Sequence, residues 1–212
     1  MPTITPVIAS NYTNKKMEKG QYVELWYYTN DGLDEAMKTN TTLDDDAMII
    51  SKGPDGSTSW VPATTARDSK RVLDDKDIPW EDFCQAIPRM IIAMEETNWP
   101  LERVHRLASF WGNLQVHELR SFCDPLDQKT LLLYQARQCR LWHLAIPTPK
   151  SAYNIATIDE TVMHKTKEEV YWQDRAARDN KRDFCVRTQS PPKPLFQLTI
   201  TPRSPLHTLP LP

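Results

Sequence analysis

The sequence predicts an α+β protein that is predominantly helical: a small N-terminal antiparallel sheet, a helical bundle behind it, and a disordered proline-rich C-terminal tail. Three observations carry that prediction. Residues 83–114, FCQAIPRMIIAMEETNWPLERVHRLASFWGNL, hold two apolar stripes at helical spacing, one after the other. Residues 47–63, AMIISKGPDGSTSWVPA, set two β-favouring runs on either side of a Gly-Pro-Asp-Gly turn. The 212 residues are 25% charged and 40% apolar with a net charge of −2, the balance of one soluble domain with arms.

Residues 1–20 mix Pro, Thr, Asn and Lys without a period and read as a disordered arm. A strand-helix-hairpin unit is expected over 21–65. YVELWYYT (22–29) is short, aromatic and β-favouring, which suits a buried strand. LDEAMK then reads as a short helix that Asn30 or Asp31 can cap. The 47–63 hairpin pairs with the 22–28 strand to make three strands; the alternative is a loop that merely contains a turn. ARDSKRVLDDKD (66–77), with four acids and four bases, reads as a solvated linker.

The helical core spans 78–148. Phe83, Ala86, Ile87, Met90, Ile91 and Met94 share one face, opened by Pro79, with a kink or a break expected at Pro88. Leu101, Val104, Leu107, Ala108, Trp111 and Leu114 line the next helix, which opens at Pro100. Neither stripe can hide its apolar face alone, so the two pack together, and a packed core is favoured over a ligand groove. Asp124 caps a third helix with Pro125 in its first turn, and Pro147 and Pro149 end it. A fourth, polar helix over 157–184 is announced by the capping-box spacing of Thr157 and Glu160.

Composition excludes several classes. Five glycines against seventeen prolines disfavour glycine-rich phosphate loops, and no P-loop, dinucleotide, zinc-protease or nucleophile-elbow motif occurs. No apolar run approaches the ~18 residues of a membrane span, and no basic segment precedes an apolar one at the N-terminus. Cys84, Cys123, Cys139 and Cys185 are irregularly spaced, which points to reduced thiols and an intracellular setting, cytoplasm or nucleus. No cofactor, metal or small-molecule substrate is implied, and the chain reads as a non-enzyme.

Weaker candidates come with plainer alternatives. Cys139 and His143 stand at i, i+4, with His117 and Cys123 upstream, a spacing that can hold a metal; a core thiol beside a satisfied histidine is the simpler reading. Asp44, Asp45 and Asp46 read as a solvated turn before a cation site. The fourth helix holds thirteen charged residues between Asp159 and Asp183, leaving a narrow seam of Val162, Val170 and Trp172 for self-association. Arg175, Arg178, Lys181, Arg182 and Arg187 make its end locally basic, for weak, non-specific nucleic-acid contact or simply for solvation. The tail, 188–212, holds seven prolines and no acid. It reads as out-of-frame translation, with an SH3- or WW-type docking stretch at Pro191–Pro194 or a passive disordered tail as the alternatives.

YVELWYYTNDGLDEA, DDDAMIISKGPDGSTSWVPA, WEDFCQAIPRM, DPLDQKTLLLYQARQCRLWHLAI and KEEVYWQDRAARDNKRDF together cover residues 20–187 in outline. In these segments the chain resembles a multicopy family of uncharacterised proteins from mushroom-forming (basidiomycete) fungi, similar to Gag-like open reading frames beside tyrosine-recombinase retroelements. The resemblance implies a non-enzymatic assembly or interaction protein of retroelement origin, with nucleic-acid binding as the alternative. It also implies a Cys/His knuckle after the charged helix, where this chain has the proline tail, and hence a truncated, frameshifted or non-functional copy.

Overall fold

The computed structural model describes residues 9–40, 48–52, 58–62, 72–121, 124–148 and 153–189. The chain divides into two units, Met1–Gln173 and Asp174–Pro212. Seven α-helices account for 73% of the structure, and the expected three-stranded N-terminal sheet is not seen; the α+β class is corrected to a helical one. The helices are α1 (Asn11–Glu18), α2 (Asn30–Asn40), α3 (Trp80–Glu96), α4 (Leu101–Gln115), α5 (Glu118–Ser121), α6 (Pro125–Ala145) and α7 (Glu160–Gln189). Met48–Lys52 and Thr58–Pro62 pair antiparallel as an isolated ribbon, with Ile50 opposite Trp60 and both exposed.

The predicted 22–28 strand is instead a 3-10 turn, Leu25–Tyr28. The reason is burial on every side. Leu25, Trp26, Tyr27 and Tyr28 are all buried in succession, whereas a strand at a sheet surface alternates. The turn packs on α2 and α3. Its backbone is held by side chains: the Asp75 carboxylate accepts the Leu25 N–H at 2.7 Å. Thr29 Oγ1 accepts the Gly32 N–H at 3.2 Å and so caps α2, the role expected of Asn30 or Asp31.

The arm also folds. Ser10 caps α1 by accepting the Thr13 N–H, and Thr13 and Met17 are buried. The Trp99 indole N–H donates to the Met17 carbonyl at 2.7 Å, fastening the end of α1 to the core. Residues 1–8 lie outside the described set.

α3 runs unbroken through Pro88, so of the expected kink or break the break does not occur. Phe83, Ala86 and Ile87 before it and Met90 and Met94 after it are all buried, and packing outweighs the one backbone hydrogen bond proline removes. α3 ends in a Schellman arrangement: Asn98 adopts φ 59°, and the Asn98 and Trp99 amides donate to Glu95 and Met94. α3 packs on α4, where Leu107 and Trp111 are buried as the stripes predict. α5 was not foreseen.

α6 is the central helix. Thr130 to Ala136 are buried without interruption, which only a helix covered all round allows. Asp124 caps it through the Leu126 N–H at 2.8 Å, and it ends at Ala145, ahead of Pro147. Each deeply buried tryptophan finds an acceptor: Trp111 the Gln135 Oε1 at 3.4 Å, Trp142 the Tyr153 carbonyl at 2.9 Å.

α7 is capped by Asp159, whose Oδ1 accepts the Thr161 and Val162 amides at 2.9 and 3.1 Å; Thr157 is not the cap. The helix runs on to Gln189, past the expected end at 184. Through Gln173 it is tied to α6 by a bidentate Arg137–Glu169 pair at 2.6 and 2.7 Å and by Lys167–Asp127 at 2.8 Å.

Candidate functional site

The residues singled out for self-association separate in the structure. Val170 is fully buried and Val162 packs against the core, so the narrow seam is used up inside the chain. This corrects the expectation that Val162 and Val170 face a partner. Trp172 of that set is 59% exposed, and Tyr171 beside it is 50% exposed. The two rings meet edge to face at 5.4 Å, on a helix whose other outward positions are mostly charged or polar.

In the second unit the basic positions are helical. Arg175, Arg178, Lys181 and Arg182 are exposed, while the Arg187 side chain lies outside the described residues. Arg178 is paired with Asp174 one turn back, which spends part of the positive charge. Asp44, Asp45, Asp46, Cys123, the Cys185 side chain and the tail from 190 also lie outside the described set.

Cys139, His143 and His117, weighed as metal ligands in the sequence, do not converge on one another. Among the described residues no group of three or more His, Cys, Asp or Glu side chains stands close enough to hold an ion. His117 contacts Glu160 at 3.3 Å. Cys139 is buried, its Sγ 3.6 Å from Gln135 Oε1, and its carbonyl takes the His143 Nδ1–H at 2.8 Å. Burial pushes the Cys139 and Cys84 thiols above their ordinary pKa, the opposite of an activated nucleophile.

A buried polar cluster was missed. Asp75, read as part of a solvated linker, is 1% exposed. It accepts the Tyr22 hydroxyl and the Leu25 amide. Arg140 pairs with Asp74 at 2.9 Å and lies over the Tyr22 ring at 5.5 Å. Beside it, His143 sits among Tyr22, Trp99 and Trp142, with ring centroids 5.4, 5.8 and 5.2 Å away. No sequence signal separates Asp75 from Asp74 or Asp77, because burial is decided by what packs over the turn.

Asp75 gives the fold a pH signature. Burial raises its pKa from 3.8 to about 6, against the lowering effect of the Tyr22 and Leu25 hydrogen bonds. The folded state therefore holds a proton that the unfolded state releases. The resulting stability is fully present below pH 3.8 and is lost as the pH rises through about 6. The expected loss is ~2–3 kcal/mol. Urea melts of wild type and Asp75→Asn at pH 4 and pH 7 check it. Wild type should lose ground to the variant at pH 7, and a difference constant with pH refutes the assignment.

No helix among the described residues is long and apolar enough to cross a membrane. No family model, curated protein or solved structure matches this chain.

Proposed function

We propose that the chain is a non-enzymatic, intracellular interaction protein that self-associates, of the Gag-like assembly type and retroelement origin implied by the sequence resemblance. The observation that supports this reading is the Tyr171–Trp172 pair. Two large rings in mutual contact stand exposed on a helix rimmed by charge, the character of a protein-interaction site.

The test is light scattering at rising protein concentration. The wild type should grow in mass, and Tyr171→Ala with Trp172→Ala should remain a monomer of unchanged fold. A wild type that stays monomeric to the highest soluble concentration overturns the reading.

A second reading, weak nucleic-acid binding, is favoured by the exposure of Arg175, Lys181 and Arg182. It requires binding on the order of 10⁻⁴–10⁻⁶ M at physiological salt, falling steeply as salt rises.

A further inference from the structure

A pocket of about 600 Å³ opens between the turn that follows α1 and the C-terminal end of α6. That volume lies within the ~300–1,000 Å³ typical of small-molecule sites. Leu144, Ile146 and Pro147 supply an apolar wall, and Lys19, Arg103 and Arg140 are its charged members. Among the described residues every charge in the lining is positive, and no carboxylate contributes. Arg140 shares its charge with Asp74, but neither Lys19 nor Arg103 has a carboxylate partner among the described residues. Two uncompensated cations beside an apolar wall create a local positive potential in a surface whose overall charge is slightly negative.

His143 borders the same space and serves as a reporter of what enters it. His143 lines this pocket and is 8% exposed. Its Nδ1 faces the Cys139 carbonyl at 2.8 Å and must carry the hydrogen there. Its Nε2 is buried with no hydrogen-bond partner. With the hydrogen on Nδ1, Nε2 is an acceptor that a water or a donor in the pocket satisfies, so the ring does not itself hold an anion. Burial holds the ring's pKa below its ordinary value, and the positive charges of Arg103 and Lys16 add to that effect.

We propose that this pocket binds a small amphiphilic anion, a carboxylate carried on an apolar body, with Lys19 and Arg103 meeting the carboxylate and Leu144, Ile146 and Pro147 receiving the body. One negative charge suits two open cations, whereas a hydrated inorganic anion has no use for the apolar wall. The site belongs wholly to the first unit, and it is independent of self-association through Tyr171 and Trp172.

Titration calorimetry of the full chain with decanoate, decanamide and inorganic phosphate tests the proposal. Decanoate should bind one to one, decanamide at least about tenfold more weakly, the worth of a charge-assisted hydrogen bond, and phosphate not measurably. Arg103→Gln and Lys19→Gln should each weaken decanoate by about tenfold. Lys19 is exposed, so its variant keeps the fold whatever happens at Arg103. In NMR, decanoate should shift the His143 ring resonances and leave those of the exposed His105 and His164 unmoved. Equal binding of decanoate and decanamide, phosphate binding as tight as decanoate, no binding at all, or an unmoved His143 each overturns it.

Discussion

Trp111→Ala lowers the free energy of unfolding by ~3–5 kcal/mol. The ring is 2% exposed, and its indole N–H reaches Gln135 across the α4–α6 interface. Truncation removes the apolar area that drives burial and leaves a cavity that its neighbours cannot fill. Leu107, Phe110 and Leu114 are themselves fully buried on the same helix and have no room to collapse inward. It also strips Gln135 Oε1 of one of its two donors, leaving the Cys139 thiol. Two-state urea melts measure the loss. A cost below about 1 kcal/mol means that the stripe on α4 is not a core.

Gly32→Ala is the second large effect, ~3–5 kcal/mol, although it adds a single methyl group. A Cβ at Gly32 would stand 2.1 Å from the Trp26 carbonyl oxygen, 2.8 Å from the Tyr27 Cα and 2.9 Å from the Tyr27 carbonyl carbon. All three are backbone atoms of the 3-10 turn and cannot swing aside as a side chain does. The Trp26 oxygen is further held by the Thr29 hydroxyl at 2.7 Å and the Thr29 amide at 3.0 Å. Gly112 is the internal control. It lies in α4, and a methyl group there would meet nothing within 4 Å, so Gly112→Ala should stabilise by ~0.5–1 kcal/mol. Thermal melts of the two variants should move in opposite directions, and parallel shifts refute the close approach at Gly32.

Where the sequence reading succeeded, the information was local. The α3 and α4 stripes repeat at helical spacing, and a stripe of that kind has one way to leave water. Asp124 followed by Pro125 specifies a helix start within three residues, and the Asp124 cap forms.

The failures share a cause of another kind. LWYY has the composition of a strand, yet four consecutive buried residues are accommodated by a turn wrapped by α2 and α3, which lie after it in the chain. The arm became α1 because Trp99, 82 positions from Met17, supplies a donor to its end. Val162 and Val170 looked available because a helical wheel shows a stripe and not what covers it. The stripe is covered by the helical body to which Arg137 and Asp127 tie α7, leaving Tyr171 and Trp172 outside. The candidate pocket was invisible for the same reason: Lys19, Arg103 and His143 come from three separate stretches, and nothing in their spacing relates them.

By itself, then, the sequence determined the helical stripes, the proline-marked helix starts and the mixed-charge surface, because those follow from periodicity and backbone chemistry within a few residues. Tertiary structure alone decided that LWYY coils, that Asp75 is buried at a pKa of about 6 and that two cations with no carboxylate partner among the described residues share a pocket with His143. Burial and potential at a point are sums over atoms brought from distant parts of the chain, and no local pattern encodes that sum.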